Sequence, residues 1–216
     1  MLTGTRRARG FSLIELMVVL TLIGVLLGLG VPAIASWTGD ARLRSAAESF
    51  TNGLRLAQAT AVARNHVTVF AVTGATPAYN AVPAANGTNW MVLVDPLSSS
   101  ETMDGSYLIQ SSTEARQHNV SVSSIPSSVV MVCFNSFGQQ TSNLTTTQTS
   151  LPASSCATPG GSSGSDTTPT TFKLSRTGSS RTYVVLVYPG GRVRMCDLAK
   201  TLTTANPDGC PTLPTS

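Results

Sequence analysis

Charge, aromatic side chains and histidine are all scarce in this 216-residue sequence: 11% of residues are charged, 6% are aromatic and only two are histidine. The scarcity of charge is concentrated, because no Asp, Glu, Lys, Arg or His occurs from Leu16 to Gly39. A helix of that length rises about 36 Å, enough to cross roughly 30 Å of hydrocarbon, so the run predicts a membrane segment. Also missing are GxSxG, P-loop, CxxC and HExxH patterns, and the two histidines, His66 and His118, fall at a strand start and in a polar stretch. Those absences remove the common nucleophile, phosphate-loop, dithiol and zinc chemistries, so no catalytic residue, metal site or cofactor is expected. No internal repeat is visible either, which excludes a solenoid.

What the N-terminus does contain is Arg6, Arg7 and Arg9 ahead of the apolar run. The positive-inside bias places residues 1–10 in the cytoplasm and everything after about residue 40 across the membrane. A cleaved secretory signal would share this pattern, but its apolar region is usually about 7 to 15 residues long, and here the run passes straight into helical periodicity. The formal charge of +4 is largely a property of this start: without its three arginines, 11 basic residues face 10 acidic ones. Four cysteines (Cys133, Cys156, Cys196, Cys210) all lie in the later half, as expected for an oxidising compartment. Proximity suggests Cys133 with Cys156 and Cys196 with Cys210, among the three pairings that four cysteines allow.

Beyond Pro32, Leu43, Ala47, Phe50, Leu54, Ala57 and Ala61 recur three or four residues apart, while Arg42, Arg44, Glu48, Asn52 and Arg55 fall elsewhere. One helix over about 11–64 is predicted, apolar all round at first and then on one stripe, with Pro32 loosening it where it leaves the bilayer. After Asn65 the pattern changes to β-branched runs at 66–73, 89–95, 119–123, 129–134, 171–175 and 182–188, the last followed by 192–196. These read as mostly antiparallel strands, and Pro189, Gly190 and Gly191 as the turn of a hairpin. The Ser-, Thr-, Gly- and Pro-rich stretches 73–88 and 139–171 read as surface loops. The expected organisation is therefore a cytoplasmic leader (1–10), a transmembrane part of the helix (11–39), its amphipathic part (40–65) and an exported β-rich domain (66–216).

The stretch Gly10-Phe11-Ser12-Leu13-Ile14-Glu15, following a short basic leader and preceding an uncharged run with Pro32, resembles the type III signal of type IV prepilins. More loosely, FNSFGQ (134–139) and GGRVRMC (190–196) resemble the GspH/FimT (FimT/FimU) group of minor pilins and pseudopilins. The resemblance implies an α+β, type IV pilin-like fold in which a long N-terminal helix, half transmembrane, packs on a small antiparallel β domain. It implies cleavage between Gly10 and Phe11 by prepilin peptidase and N-methylation of Phe11. The expected location is the bacterial inner membrane, single-pass with the C-terminal domain periplasmic, and then a pilus or pseudopilus built with other pilins.

Glu15 gains a role from elementary electrostatics. A carboxylate inside hydrocarbon costs a few kcal/mol and is retained mainly where it finds a partner. Cutting after Gly10 creates one, the new ammonium of Phe11, and four helical residues, about 6 Å, separate the two groups. A neighbouring subunit shifted by one turn would set its Phe11 ammonium beside this Glu15. The competing reading is that Glu15 simply favours its own helix N-terminus. Gly24 and Gly28 form a small-xxx-small pair that would let membrane helices approach.

From Phe172 to Lys200, six basic residues (Lys173, Arg176, Arg181, Arg192, Arg194, Lys200) face one acid, Asp197. On a strand, Arg192 and Arg194 share one face and Val193 and Met195 the other, and paired guanidiniums suit phosphate. Gly191-Arg192-Val193-Arg194 also resembles the GRxR motif through which some FimT-type minor pilins bind DNA for uptake in natural transformation. The alternatives are a solvated edge-protecting face or a subunit contact. With no aromatic residue interleaved, contacts would go to the phosphate backbone with little sequence specificity. The expected function is thus a minor pilin assembled into or priming a type IV pilus, with DNA as a further partner. The alternatives are a type II secretion pseudopilin without DNA binding and an unrelated single-pass periplasmic binding domain.

Overall fold

The computed structural model describes residues 11–98, 100–144, 156–160 and 168–213, without the side chains of 29–36. The chain divides into two compact units, Met1–Thr38 and Gly39–Ser216. Gly10, and with it the cleavage site, lies outside the described residues, as does most of the expected 139–171 loop.

In the first unit, the early turns of helix α1 (Leu13–Arg64) carry Leu13, Ile14, Leu16, Met17 and the following apolar side chains to Leu27, all exposed. Among the described residues no helix is long and apolar enough to cross a membrane. The expected transmembrane part, 11–39, includes the side chains of 29–36, which lie outside the described residues; the described run before them, Leu13 to Gly28, rises about 24 Å. Gly24 and Gly28 have no atoms packed against them.

The second unit opens with the later turns of α1. Leu43, Ala47, Phe50, Leu54, Ala57 and Ala61 are completely buried, while Arg42, Arg44, Glu48, Asn52 and Arg55 are exposed, so the stripe read from spacing is the face that packs. Asn65, with φ +52°, ends the helix: His66 N–H donates to Ala61 O (3.0 Å) and Asn65 N–H to Val62 O (3.3 Å), a left-handed cap that satisfies the last carbonyls.

Among the described residues, ten strands form two five-stranded sheets. The first has the order β3 (Leu108–Ser112), β2 (Asn89–Val94), β1 (Thr68–Thr73), β5 (Met131–Phe134), β6 (Gln140–Thr141). The second has the order β10 (Gly209–Cys210), β9 (Val193–Thr201), β8 (Thr182–Val187), β7 (Thr170–Arg176), β4 (Val120–Ile125). Neighbours are antiparallel except β10 with β9. The buried stripe of α1 meets one face of each sheet: Phe70, Val72, Trp90, Val132 and Phe134 from the first, and Phe172, Leu174, Val185, Val187 and Val193 from the second. Phe50 is the hinge of this core, with ring centroids 4.8 Å from Phe70 and 5.1 Å from Phe172.

The opposite face of the first sheet (Val69, Ala71, Met91, Leu93, Met131, Cys133) is covered by loop residues including Ala81, Met103 and Cys156. Both faces of β1 and β2 are thus buried, which is why their sequences read as unbroken apolar runs. Spacing missed β3, β6, β10 and a short helix α2 (Glu114–Gln117), and it ended β9 five residues early.

Candidate functional site

Two surfaces carry the residues singled out by the sequence. At the N-terminus, Phe11 is 85% exposed and Glu15 sits in the first turn of α1, where Ser12 O accepts from Leu16 N–H (3.2 Å). Glu15 lies four residues after Phe11 and is flanked by exposed Leu13, Ile14 and Leu16. An apolar collar of this kind suits the carboxylate to an environment where only a cation at the same depth would neutralise it.

The second surface is the β8–β9 hairpin. Its turn is the expected Pro189-Gly190-Gly191: Gly191 N–H donates to Tyr188 O (2.8 Å), Tyr188 N–H to Arg192 O (3.0 Å), and Gly191 takes φ +87°. A side chain on Gly191 would strike Gly138 O and Gln58 Nε2. Here α1, the Asn135–Gln139 turn and the hairpin meet: Gln58 Nε2 donates to Gly138 O (2.8 Å) and Gln140 N–H to Pro189 O (2.9 Å). The Asn135 side chain holds that turn by accepting from the backbone of Phe137 and Gln139 (both 3.0 Å), leaving Phe137 82% exposed.

Along β9, Val193 and Met195 point into the helix-facing core, whereas Arg194 lies opposite Leu186 and Arg192 opposite Tyr188 on the other face. The alternation read from sequence therefore holds, but the two arginines are engaged differently. The Arg192 guanidinium carbon lies 4.2 Å from the Tyr188 ring centroid, a cation–π pair. Tyr188 is thus an aromatic partner that the sequence order hid, because the register of the turn brings it alongside. Arg194 Nη2 donates to Pro207 O (2.8 Å) and Gly209 O (3.0 Å), fastening the segment before β10.

The other cations of the expected basic patch are dispersed. Lys173 lies opposite Val184 on the outer face with Arg192 and Arg194. Arg176 instead donates from Nε to His118 O (2.8 Å) and packs its Nη1 on Gly39. Arg181 meets the buried Asp197 at 2.9 Å and Asp40 at 4.0 Å, and the neighbouring Tyr183 followed by Asp197 holds its pKa above the ordinary arginine value. Lys200 pairs with Asp208 at 2.5 Å, and that hydrogen bond holds the Asp208 carboxyl below the ordinary range. Two of the six cations counted along the sequence, Arg181 and Lys200, are therefore answered by carboxylates in space, and Lys173, Arg176, Arg192 and Arg194 are the members without a carboxylate partner among the described residues.

Both expected disulfides are formed, Cys133–Cys156 and Cys196–Cys210. His118 lies 4.0 Å from Glu114, and His66 Nδ1 is buried without a hydrogen-bond partner. Among the described residues no group of histidine, cysteine, aspartate and glutamate is arranged to hold a metal ion.

Comparison with known proteins adds two family matches. Residues 5–31 match the prokaryotic N-terminal methylation motif, and residues 46–191 match the family described as type II transport protein GspH. No curated protein matches. Two solved structures, both of the type IV minor pilin FimU from Pseudomonas aeruginosa, are similar to this chain. One is 15% identical with a TM-score of 0.47, covering 74% of this chain and 91% of FimU. The other is 14% identical with a TM-score of 0.44, covering 70% and 90%.

Proposed function

Since the chain belongs to the GspH family of type II transport proteins, whose model spans residues 46–191, we propose that it is a filament subunit processed as a prepilin and assembled as a minor pilin of a type IV pilus. Pilins and pseudopilins are structural proteins, and their assembly with sister pilins follows from the family. The finer reading is that prepilin peptidase cuts between Gly10 and Phe11 and that Phe11 is N-methylated. The apolar N-terminal segment then holds the subunit in the inner membrane, with the domain periplasmic, until assembly.

The observation that carries this is the coincidence of the methylation motif at 5–31 with an exposed apolar helix start bearing one carboxylate, Glu15, in its first turn. In a filament, the Phe11 ammonium of one subunit and Glu15 of its neighbour neutralise each other where neither could be left alone. Mass spectrometry of the mature N-terminus tests processing: N-methyl-Phe11 is expected, and an unprocessed start or one elsewhere refutes it. Normal incorporation of Glu15→Ala into pili refutes the pairing.

A second reading is the type II secretion pseudopilin that the family description itself favours. Deletion separates the two, since loss of pili with secretion intact supports the first and the converse the second. The family match leaves no room for an unrelated periplasmic binding domain.

DNA capture rests on the outer face of the second sheet, where Lys173 and Arg192 stand free of carboxylates and Arg192 lies on Tyr188. Because Arg194 also secures the 207–209 segment, the informative variant is Lys173→Ala with Arg192→Ala. In a mobility-shift assay that pair should weaken binding at low salt and flatten its salt dependence by about two counterions. No shift by the parent protein, or an unchanged one with the variant, refutes DNA binding.

A further inference from the structure

The edge of β9 is only half used. Its partner β8 lies on one side from Val193 to Asp197, whereas β10 joins on the other only at Asp197 and beyond, where Asp197 N–H donates to Asp208 O (2.9 Å). In an antiparallel ladder the amide groups of successive residues alternate in direction. Arg192 O faces inward to Tyr188 N–H, and Asp197 N–H faces outward to Asp208, so the N–H and C=O of Val193 and Met195 face outward as well. No proline or bulge blunts this stretch, and its one charged side chain, Arg194, is turned away to the 207–209 segment, although exposed edges are usually protected by such devices.

The open edge borders a groove of about 460 Å³ whose far wall is α1, with Glu48, Thr51, Asn52 and Arg55 facing Val193, Arg194 and Met195. β9 runs antiparallel to α1 here: Gly191 lies against Gln58, and Asp197 is joined through Arg181 to Asp40. Arg55 therefore stands at the Val193 end, without a carboxylate partner among the described residues. Glu48, at the Met195 end, is already occupied by Arg44 at 2.8 Å.

We propose that this groove receives an extended peptide segment of a partner protein, which adds to β9 through the Val193 and Met195 amides in line with β10 and places an acidic side chain against Arg55. Strand addition of this kind draws affinity from main-chain hydrogen bonds and specificity from side chains in flanking pockets. The edge from Val193 to Met195, about 10 Å of strand, matches a groove lined by two turns of helix. The charge left unpaired on its wall selects an acidic occupant over a basic one.

The test uses the full chain, isotope-labelled in detergent, with an acetylated and amidated peptide of sequence Thr-Val-Thr-Glu-Thr-Val-Thr as probe. The Val193 and Met195 amide resonances should shift on titration and exchange with solvent more slowly. The same peptide N-methylated at alternate amides should do neither. Arg55→Glu should weaken the Glu-containing probe by about threefold to fivefold and strengthen one with Lys in its place. Absence of any response at Val193 and Met195 up to about 2 mM peptide, or an equal response to the N-methylated probe, overturns strand addition. Binding indifferent to the Arg55 swap overturns the acidic occupant.

Discussion

Replacing Gly191 by alanine tests the junction on which the hairpin rests. The residue holds φ +87°, and its missing side chain is what allows Gly138 O and Gln58 Nε2 to close on it. Holding an alanine in the left-handed region costs about 1–2 kcal/mol. Displacing the Gly138 carbonyl to make room would disturb the Gln58 Nε2 bond at 2.8 Å and the Gln140–Pro189 bond at 2.9 Å, each worth about 1 kcal/mol. The sum is about 3–4 kcal/mol. In a unit of this size 1 kcal/mol moves the midpoint by about 2–4 °C, so circular dichroism of the purified chain should show Tm falling by about 6–16 °C. Gly190→Ala is the control: nothing lies near the added methyl, and a shift within about 2 °C is expected. Because the obstacle includes a backbone carbonyl as well as the flexible Gln58 side chain, Gly191→Ala combined with Gln58→Ala should not recover the loss. A Gly191→Ala midpoint indistinguishable from the parent, or full recovery in the double variant, refutes the reasoning.

Phe50→Ala should lower stability by about 3–5 kcal/mol in urea denaturation, since it empties the contact between both sheets and α1, and Phe50→Leu should cost distinctly less. Replacing Cys196 and Cys210 together by serine, which opens a 14-residue separation, should cost about 3 kcal/mol and speed amide exchange at 202–210 while leaving β1 protected. Asp208 should titrate below the ordinary aspartate range in the parent and return to that range in Lys200→Met, followed by carboxyl NMR. A group with a depressed folded pKa contributes above its unfolded pKa and loses that contribution as pH falls through the folded value, so the Lys200–Asp208 tie should weaken only below about pH 4. An Asp208 titration unmoved by Lys200→Met refutes the pairing.

The helical stripe was legible because burial on a helix repeats within the sequence itself, and every apolar position assigned to it is packed. The buried strands β1, β2, β5, β7 and β8 were legible as β-branched runs. The edge strand β3 was not: its residues are half-exposed or exposed, so Leu108–Ser112 carries little periodicity. β10 has two residues and owes its place to the Cys196–Cys210 link and the Arg194 hydrogen bonds.

The basic patch shows the same limit from the side of function. Counting charge along the sequence found six cations near the C-terminus. Arg181 is answered by Asp40, 141 positions away, and Lys200 by Asp208 just outside the counted window. The alternation of Arg192 and Arg194 followed from strand geometry alone, but the Tyr188 partner required the register of the turn. Gln58 and Gly138, which lock that turn, are separated by 80 residues and carried no local signal.

The two disulfides share a position with respect to the helix. Cys133–Cys156 closes the face of the first sheet that is turned away from α1, and Cys196–Cys210 does the same on the second. The core between the sheets contains no covalent cross-link and can be completed by packing alone. The chain can therefore enclose its helix first and be oxidised afterwards, each bridge sealing an outer covering over a scaffold already in place. Under reducing conditions the same separation predicts graded damage: the coverings loosen while the sandwich around Phe50 persists.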